Sequence, residues 1–202
     1  MKDTLYAYTL LLTFLAGGLP SFLVAQTLAD KPRVRPSLIS KILAKDLFGA
    51  AALGSQQRPQ SFGGYAKGCL AGGIALPQTG PTWQAMRLSR NRNWGQPTTV
   101  EYLQGLSRKV ARHTRWAGVY VGDISQPRGG PMLSGHASHQ IGLDADIWLL
   151  PKTDRMLTKS EREEIPSISM RRSSGAFTND RWTKDHEKVL QLAASDQRVA
   201  RI

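Results

Sequence analysis

The chain has 202 residues, of which 41% are apolar and 21% charged, a balance that suits one packed domain and excludes a disordered tail. Its 27 basic and 15 acidic residues give a formal charge of +12, which attracts polyanions in general. Nucleic acid is not selected by that charge, because the basic residues scatter from Arg33 to Arg201 instead of forming a stripe with interleaved aromatics. Met1-Lys2 leads into a nearly unbroken apolar stretch, Leu5 to Ala25, with small residues near Ala25 and Ala29. This predicts a secretory leader over residues 1–29, cleaved between Ala25 and Asp30, against the alternatives of an uncleaved anchor or a buried helix. Export makes the single cysteine informative: Cys69 is either a small hydrophobe or has its partner outside these residues.

Asp30 to Pro36 reads as a linker. Ser37 to Leu53 predicts a helix, with Ser37 as cap, Leu38, Ile42 and Leu47 on one face, and Gly54 as the stop. The glycines between Gln56 and Gln78 predict a folded-back loop with short extended pieces. Neither Gly-Gly pair there precedes the Lys-Ser or Lys-Thr of a phosphate-binding loop, which argues against a nucleotide site. Trp83 to Leu88 predicts a strand, Arg87 to Thr99 a polar, basic loop, and Thr99 to His113 a helix burying Val100, Leu103, Leu106 and Val110. Trp116 to Val121 has the branched and aromatic content of a strand, and Asp123 to Gly135 is irregular. Leu143, Ala145 and Ile147 alternate with Asp144, Asp146 and Trp148, the period of a strand, which Pro151 halts. Lys152 to Ala176 reads as loop. A last helix, capped by Asn179 or Asp180, buries Val189, Leu190 and Ala193, and Val199, Ala200 and Ile202 begin a strand-like run. The expected fold is α+β, a small, mainly antiparallel sheet with helices around it and long Gly/Pro-rich loops.

Four histidines are present, and His136 and His139 fall just before Asp144 and Asp146. Imidazole and carboxylate are the donors that zinc favours, three of them in a catalytic site. His139 and Asp146 are the preferred pair of ligands, because Gly142 between them lets the backbone return over the strand. Asp144 could orient an imidazole or shape the rim. The role of His136 stays open between lining the cleft, holding a scissile group and supporting a ligand. The same spacing also fits a surface network with no metal. His113 is explained by the dipole at its helix end, and His186, beside Glu187, is expected to be solvated. Trp116 and Trp148 read as core or cleft wall. A covalent mechanism has little support: Ser134 and Ser138 belong to no nucleophile elbow, and Cys69 has no local histidine.

Four segments carry a resemblance: FGGYAKGCLAGG (Phe62 to Gly73), MRLSRNRNWG (Met86 to Gly95), GGPMLSGHASHQIGLDADIW (Gly129 to Trp148) and WTKDHEKVLQLAASDQRVARI (Trp182 to Ile202). In them the chain resembles the penicillin-insensitive murein endopeptidases, a branch of the zinc D-alanyl-D-alanine peptidase group. The resemblance implies Zn2+ held by His139 and Asp146, with His136 in the active-site region. It also implies hydrolysis of the D-alanyl-meso-diaminopimelyl bond in peptidoglycan cross-link peptides, in the periplasm and without a serine acyl-enzyme. It places the third ligand in a distal His-x-His element, and this sequence has no histidine after His186. The expectation is therefore a domain over residues 30–202 that is C-terminally incomplete, inactive or nearly so, with Cys69's partner in the continuation. The alternative is a non-catalytic exported peptidoglycan-binding protein or degenerate fragment.

Overall fold

A computed structural model describes residues 42–202. The expected leader, the linker and the start of the first expected helix, Ser37 to Lys41, lie outside the described residues. What is seen of that helix is α1, Ala44–Gly49. Ile42 and Leu47 are exposed, so the apolar spacing read there does not mark a buried face.

The glycine-rich stretch folds back as expected. β1 (Gln60–Gly64) and β2 (Lys67–Ala71) form an antiparallel hairpin in which Cys69 stands opposite Phe62 and is half-buried. β3 (Ile74–Ala75) pairs antiparallel with β5 (Trp94–Gly95). The central sheet has the order β4-β6-β7. β4 (Trp83–Ala85) and β6 (Val119–Val121) run parallel, and β6 and β7 (Ile147–Trp148) antiparallel. The parallel pair requires a long crossover, which α2 (Pro97–His113) supplies. Pro97 opens α2, where a missing N–H costs nothing. α3 (Lys159–Glu164) and α4 (Lys184–Ala194) complete an α+β fold whose sheet pairings are mainly antiparallel.

The core follows from two periodicities. Val100, Leu103, Leu106 and Val110 form one stripe of α2, all 4% exposed or less, and pack on Val119 and Val121 of β6 with Leu76, Trp83, Trp116, Ile124 and Val189 of α4. Tyr120 points to the opposite face of β6, where Met86, Trp148 and Leu157 enclose it. Both faces of β6 are therefore buried, so no one-residue slip of the strand is tolerated. Replacing Leu103 by alanine is expected to cost about 2–5 kcal/mol, read as a loss in denaturant midpoint with unchanged slope.

Several elements differ from expectation. The strand expected from Trp83 stops at Ala85, and Leu88 to Arg90 form a 3-10 turn. The strand expected from Trp116 begins only at Val119, and that expected over 143–148 keeps only Ile147–Trp148. Asp144 to Asp146 lie outside the strand. The EREE stretch forms α3, because Thr158 and Glu161 make a reciprocal capping box that satisfies the N-terminal N–H groups. The last helix is capped by Thr183, not Asn179 or Asp180, and Val199 to Ile202 form no strand. His186 is 2% exposed, contrary to the expectation of a solvated side chain. It sits at the third position of α4, where Nδ1 accepts the Thr183 N–H at 3.1 Å and Nε2 lies 3.0 Å from the Leu149 carbonyl, between Trp116 and Trp182. His113 is exposed at the C-terminal end of α2, while Trp116 and Trp148 are buried in the core.

Candidate metal centre

The histidine loop is shaped by backbone that few side chains tolerate. Gly142 has φ +69, and a Cβ there would stand 2.8 Å from Leu70 Cδ2. Its carbonyl accepts the Gln96 N–H at 2.9 Å, which ties the loop to the head of α2. His139 itself is left-handed at φ 63, a strained setting for a non-glycine residue. The neighbouring Gln140 holds it there. The Gln140 side chain accepts the Gly68 N–H at 3.2 Å and donates to the Ala66 and Ala137 carbonyls at 3.0 and 3.2 Å. The β1–β2 hairpin thus buttresses the loop.

Asp146 reaches the same place from the other side. Its N–H donates to the Asp123 carbonyl at 2.9 Å, and its carbonyl accepts the Gly122 N–H at 2.8 Å. These bonds hold it to the chain leaving β6. Gly122 permits the approach, since a Cβ there would come within 2.9 Å of Asp146 Cβ.

The side chains converge. His139 Nε2 lies 3.3 Å from Asp146 Oδ1, and His136 Nε2 lies 3.9 Å from Asp146 Oδ2. Donor atoms of His136, His139 and Asp146 all fall within 4.8 Å of one another. Two ligands each about 2.05 Å from one zinc ion at a tetrahedral angle stand roughly 3.3 Å apart, so the His139–Asp146 spacing fits that ion. On the far side of the ring, Asp144 Oδ2 lies 3.0 Å from His139 Nδ1 and accepts the His139 backbone N–H at 3.2 Å. The ring nitrogen is not aligned for a directed bond, which leaves a buried charge contact and no hydrogen bond for Nδ1 or for Asp144 Oδ1.

Burial opposes the charged form of His139, but Asp144 and Asp146 beside it outweigh burial and raise its pKa to about 10. Burial likewise works against the Asp146 carboxylate, while His139 chiefly, then His136 and Arg90, hold it below the usual carboxylate range. The folded pKa of His139 lies above its unfolded value of about 6.5, so its stabilisation of the metal-free protein is full below that pH and lost as pH rises toward 10. Melting temperatures of chelator-treated protein should fall between pH 7 and 10, and less so in His139→Gln. Equal pH dependence in the two proteins would contradict this account.

A second layer was not legible as a site. Asp123, 2% exposed at its side chain, faces Arg92 Nη1 at 2.8 Å, Arg90 Nη1 at 3.2 Å and His136 Nε2 at 3.4 Å, all through Oδ2. Arg92 also donates to the Ser134 carbonyl at 2.9 Å, so it anchors the loop that carries His136. The sequence shows these arginines only as part of a basic loop. The available signal is an acid directly after the apolar run Val119 to Gly122, which cannot be buried without a cation. A groove of about 920 Å³ opens from His139 and Asp146 along Tyr102, Leu106 and Val189.

Residues 61–202 match the sequence model of a family described as penicillin-insensitive murein endopeptidase. Three curated proteins of that name are similar to the chain. The one from Haemophilus influenzae is 39% identical over 145 residues, covering 69% of this chain and 49% of the relative. Those from Yersinia enterocolitica and Klebsiella pneumoniae are each 38% identical, covering 71% of this chain and 52% of the relative. The chain thus spans about half the length of the curated relatives it matches.

Proposed function

The chain belongs to the penicillin-insensitive murein endopeptidase family, and on that premise we propose that it serves zinc-dependent hydrolysis of peptide cross-links in peptidoglycan, at the D-alanyl-meso-diaminopimelyl bond. The observation that carries this reading is the 3.3 Å approach of His139 Nε2 to Asp146 Oδ1, the spacing of two ligands on one zinc ion. His139 and Asp146 are the proposed ligands, and His136 is the third donor within reach among the described residues. Bound zinc would supply a Lewis acid that polarises the peptide carbonyl and lowers the pKa of water. Asp144 faces the other nitrogen of the His139 ring as a charge partner, and Asp123 faces His136 beside the site. No serine or cysteine nucleophile has a part in this scheme.

The proposed setting is the periplasm, reached through a leader at residues 1–29, with residues 30–202 as the peptidase-like domain. Among the described residues no helix is long and apolar enough to cross a membrane. The net charge of +12 suits an acidic wall polymer. Zinc binding by these 202 residues is the sharper test. Titration of chelator-treated protein with zinc should saturate near one ion per chain, and any release of peptide monomers from cross-linked murein dimers should stop on chelation. Failure to bind zinc at saturating concentrations would overturn the reading. Dimer binding without release would favour a non-catalytic wall-binding protein.

A further inference from the structure

Beside the histidine site lies a cationic group that is not among the metal donors. Arg90 ends the 3-10 turn Leu88–Arg90, and its side chain is 42% exposed. Among the described residues only one of its nitrogens, Nη1, is engaged, with the Asp123 carboxylate that also faces His136. Asp123 is shared with Arg92, so one carboxylate faces two guanidinium groups. Arg92 is buried against it at the shorter distance, 2.8 Å, which leaves Arg90 as the cation whose charge is incompletely matched. Its remaining N–H donors form a fork of the kind that binds a carboxylate through two parallel bonds.

The turn that carries Arg90 is held more firmly than a surface loop requires. Arg87 and Asn91, on either side, are both left-handed at φ 55 and 50, and with His139 they are the three non-glycine residues of positive φ among the described residues. Arg87 and Asn91 flank the turn that carries Arg90. The Arg87 N–H donates to the Arg162 carbonyl at 3.0 Å, and Glu163 accepts from Ser89 through both N–H and hydroxyl at 2.8 and 2.9 Å. Asn91 donates to the Ala52 carbonyl at 3.1 Å and accepts the Trp94 indole N–H at 2.8 Å. Such fixing lowers the entropy cost of presenting one side chain to a ligand.

We propose that Arg90 is a specificity-determining residue that binds a substrate carboxylate next to the scissile bond. The inference rests on the murein reading and deepens it. In a D-alanyl-meso-diaminopimelyl cross-link, the carbon bearing the scissile nitrogen also bears a free carboxylate. Asp123 Oδ2 lies 3.2 Å from Arg90 and 3.4 Å from His136, whose Nε2 lies 3.9 Å from Asp146 Oδ2, so Arg90 stands one carboxylate and one imidazole away from the place proposed for the peptide carbonyl. A cross-link whose carboxylate is amidated lacks the charge that the guanidinium would pair with.

The test is binding of a purified cross-linked murein peptide dimer to the zinc-supplemented protein, with the diaminopimelyl carboxylate either free or converted to its amide. Wild type is expected to prefer the free acid by roughly tenfold, the scale of a charge-assisted bond at a partly exposed site. Arg90→Gln should bring the ratio near one while leaving amide binding and zinc stoichiometry unchanged. Arg90→Lys, which keeps the charge but not the fork, should give an intermediate ratio. An acid-to-amide ratio unchanged in Arg90→Gln, or no preference in wild type, overturns the assignment of Arg90 alone. Wild type that takes up zinc but binds neither dimer overturns the murein reading and the Arg90 assignment together.

Discussion

Replacing Asp146 by alanine is expected to weaken zinc binding by about 100-fold or more, while leaving the protein folded. The removed carboxylate is the partner that stands 3.3 Å from His139 Nε2, and it is half-exposed, so its loss opens no core cavity. His139→Ala should match it, because each removes one of the two donors whose spacing fits the ion. Asp144→Asn should cost less, about 10–100-fold, since Asp144 touches only the distal nitrogen of the ring. Competition with a chromophoric chelator measures all three. The account fails if Asp144→Asn weakens zinc more than Asp146→Ala does. Proton release gives a second readout: His139 is protonated at pH 7 in the metal-free protein, so zinc uptake there should liberate about one proton, seen by calorimetry in buffers of different ionisation enthalpy.

Asp123→Ala is expected to be the most destabilising single change around the site, costing about 3–5 kcal/mol and lowering Tm by roughly 10 °C. The penalty arises from what is left behind. Arg92 is 7% exposed, and without Asp123 its guanidinium keeps, among the described residues, only the Ser134 carbonyl and hydroxyl as acceptors. Arg90 can turn to water and adds little. The double variant Asp123→Ala, Arg92→Met should therefore recover much of the loss, because it removes the stranded charge along with its partner. A double variant no more stable than Asp123→Ala would place the penalty elsewhere. Both variants should also free His136, which loses its 3.4 Å neighbour.

The apolar periodicity of α2 is legible in the sequence. The four-residue stripe of α2 and its extent to His113 emerge as expected, since a repeat of 3.6 over four turns has few competing explanations. Short elements were read less well. EREE has no apolar stripe and predicts loop, whereas α3 is stabilised by the Thr158–Glu161 cap. The alternation at 143–148 predicts a strand; β7 keeps only Ile147–Trp148, and Asp146 just before it is still bonded through its backbone to Gly122 and Asp123 while its side chain faces His139. His186 was expected in water because a polar residue near an acid usually is. Two tryptophans and two backbone partners bury it instead.

The nearness of His136 and His139 to Asp144 and Asp146, and the Gly142 that bends the chain between them, are local facts that the segment from His136 to Asp146 carries on its own. Which ring nitrogen faces which carboxylate is different in kind. Asp123 meets Arg90 and Arg92 from more than thirty residues away, across the β4–β6 crossover. Spacing along a chain specifies the face of an element a side chain occupies; it does not specify the partner on another element. Only the packing of β6 between two apolar clusters sets that partner, and with it the charge that surrounds His136.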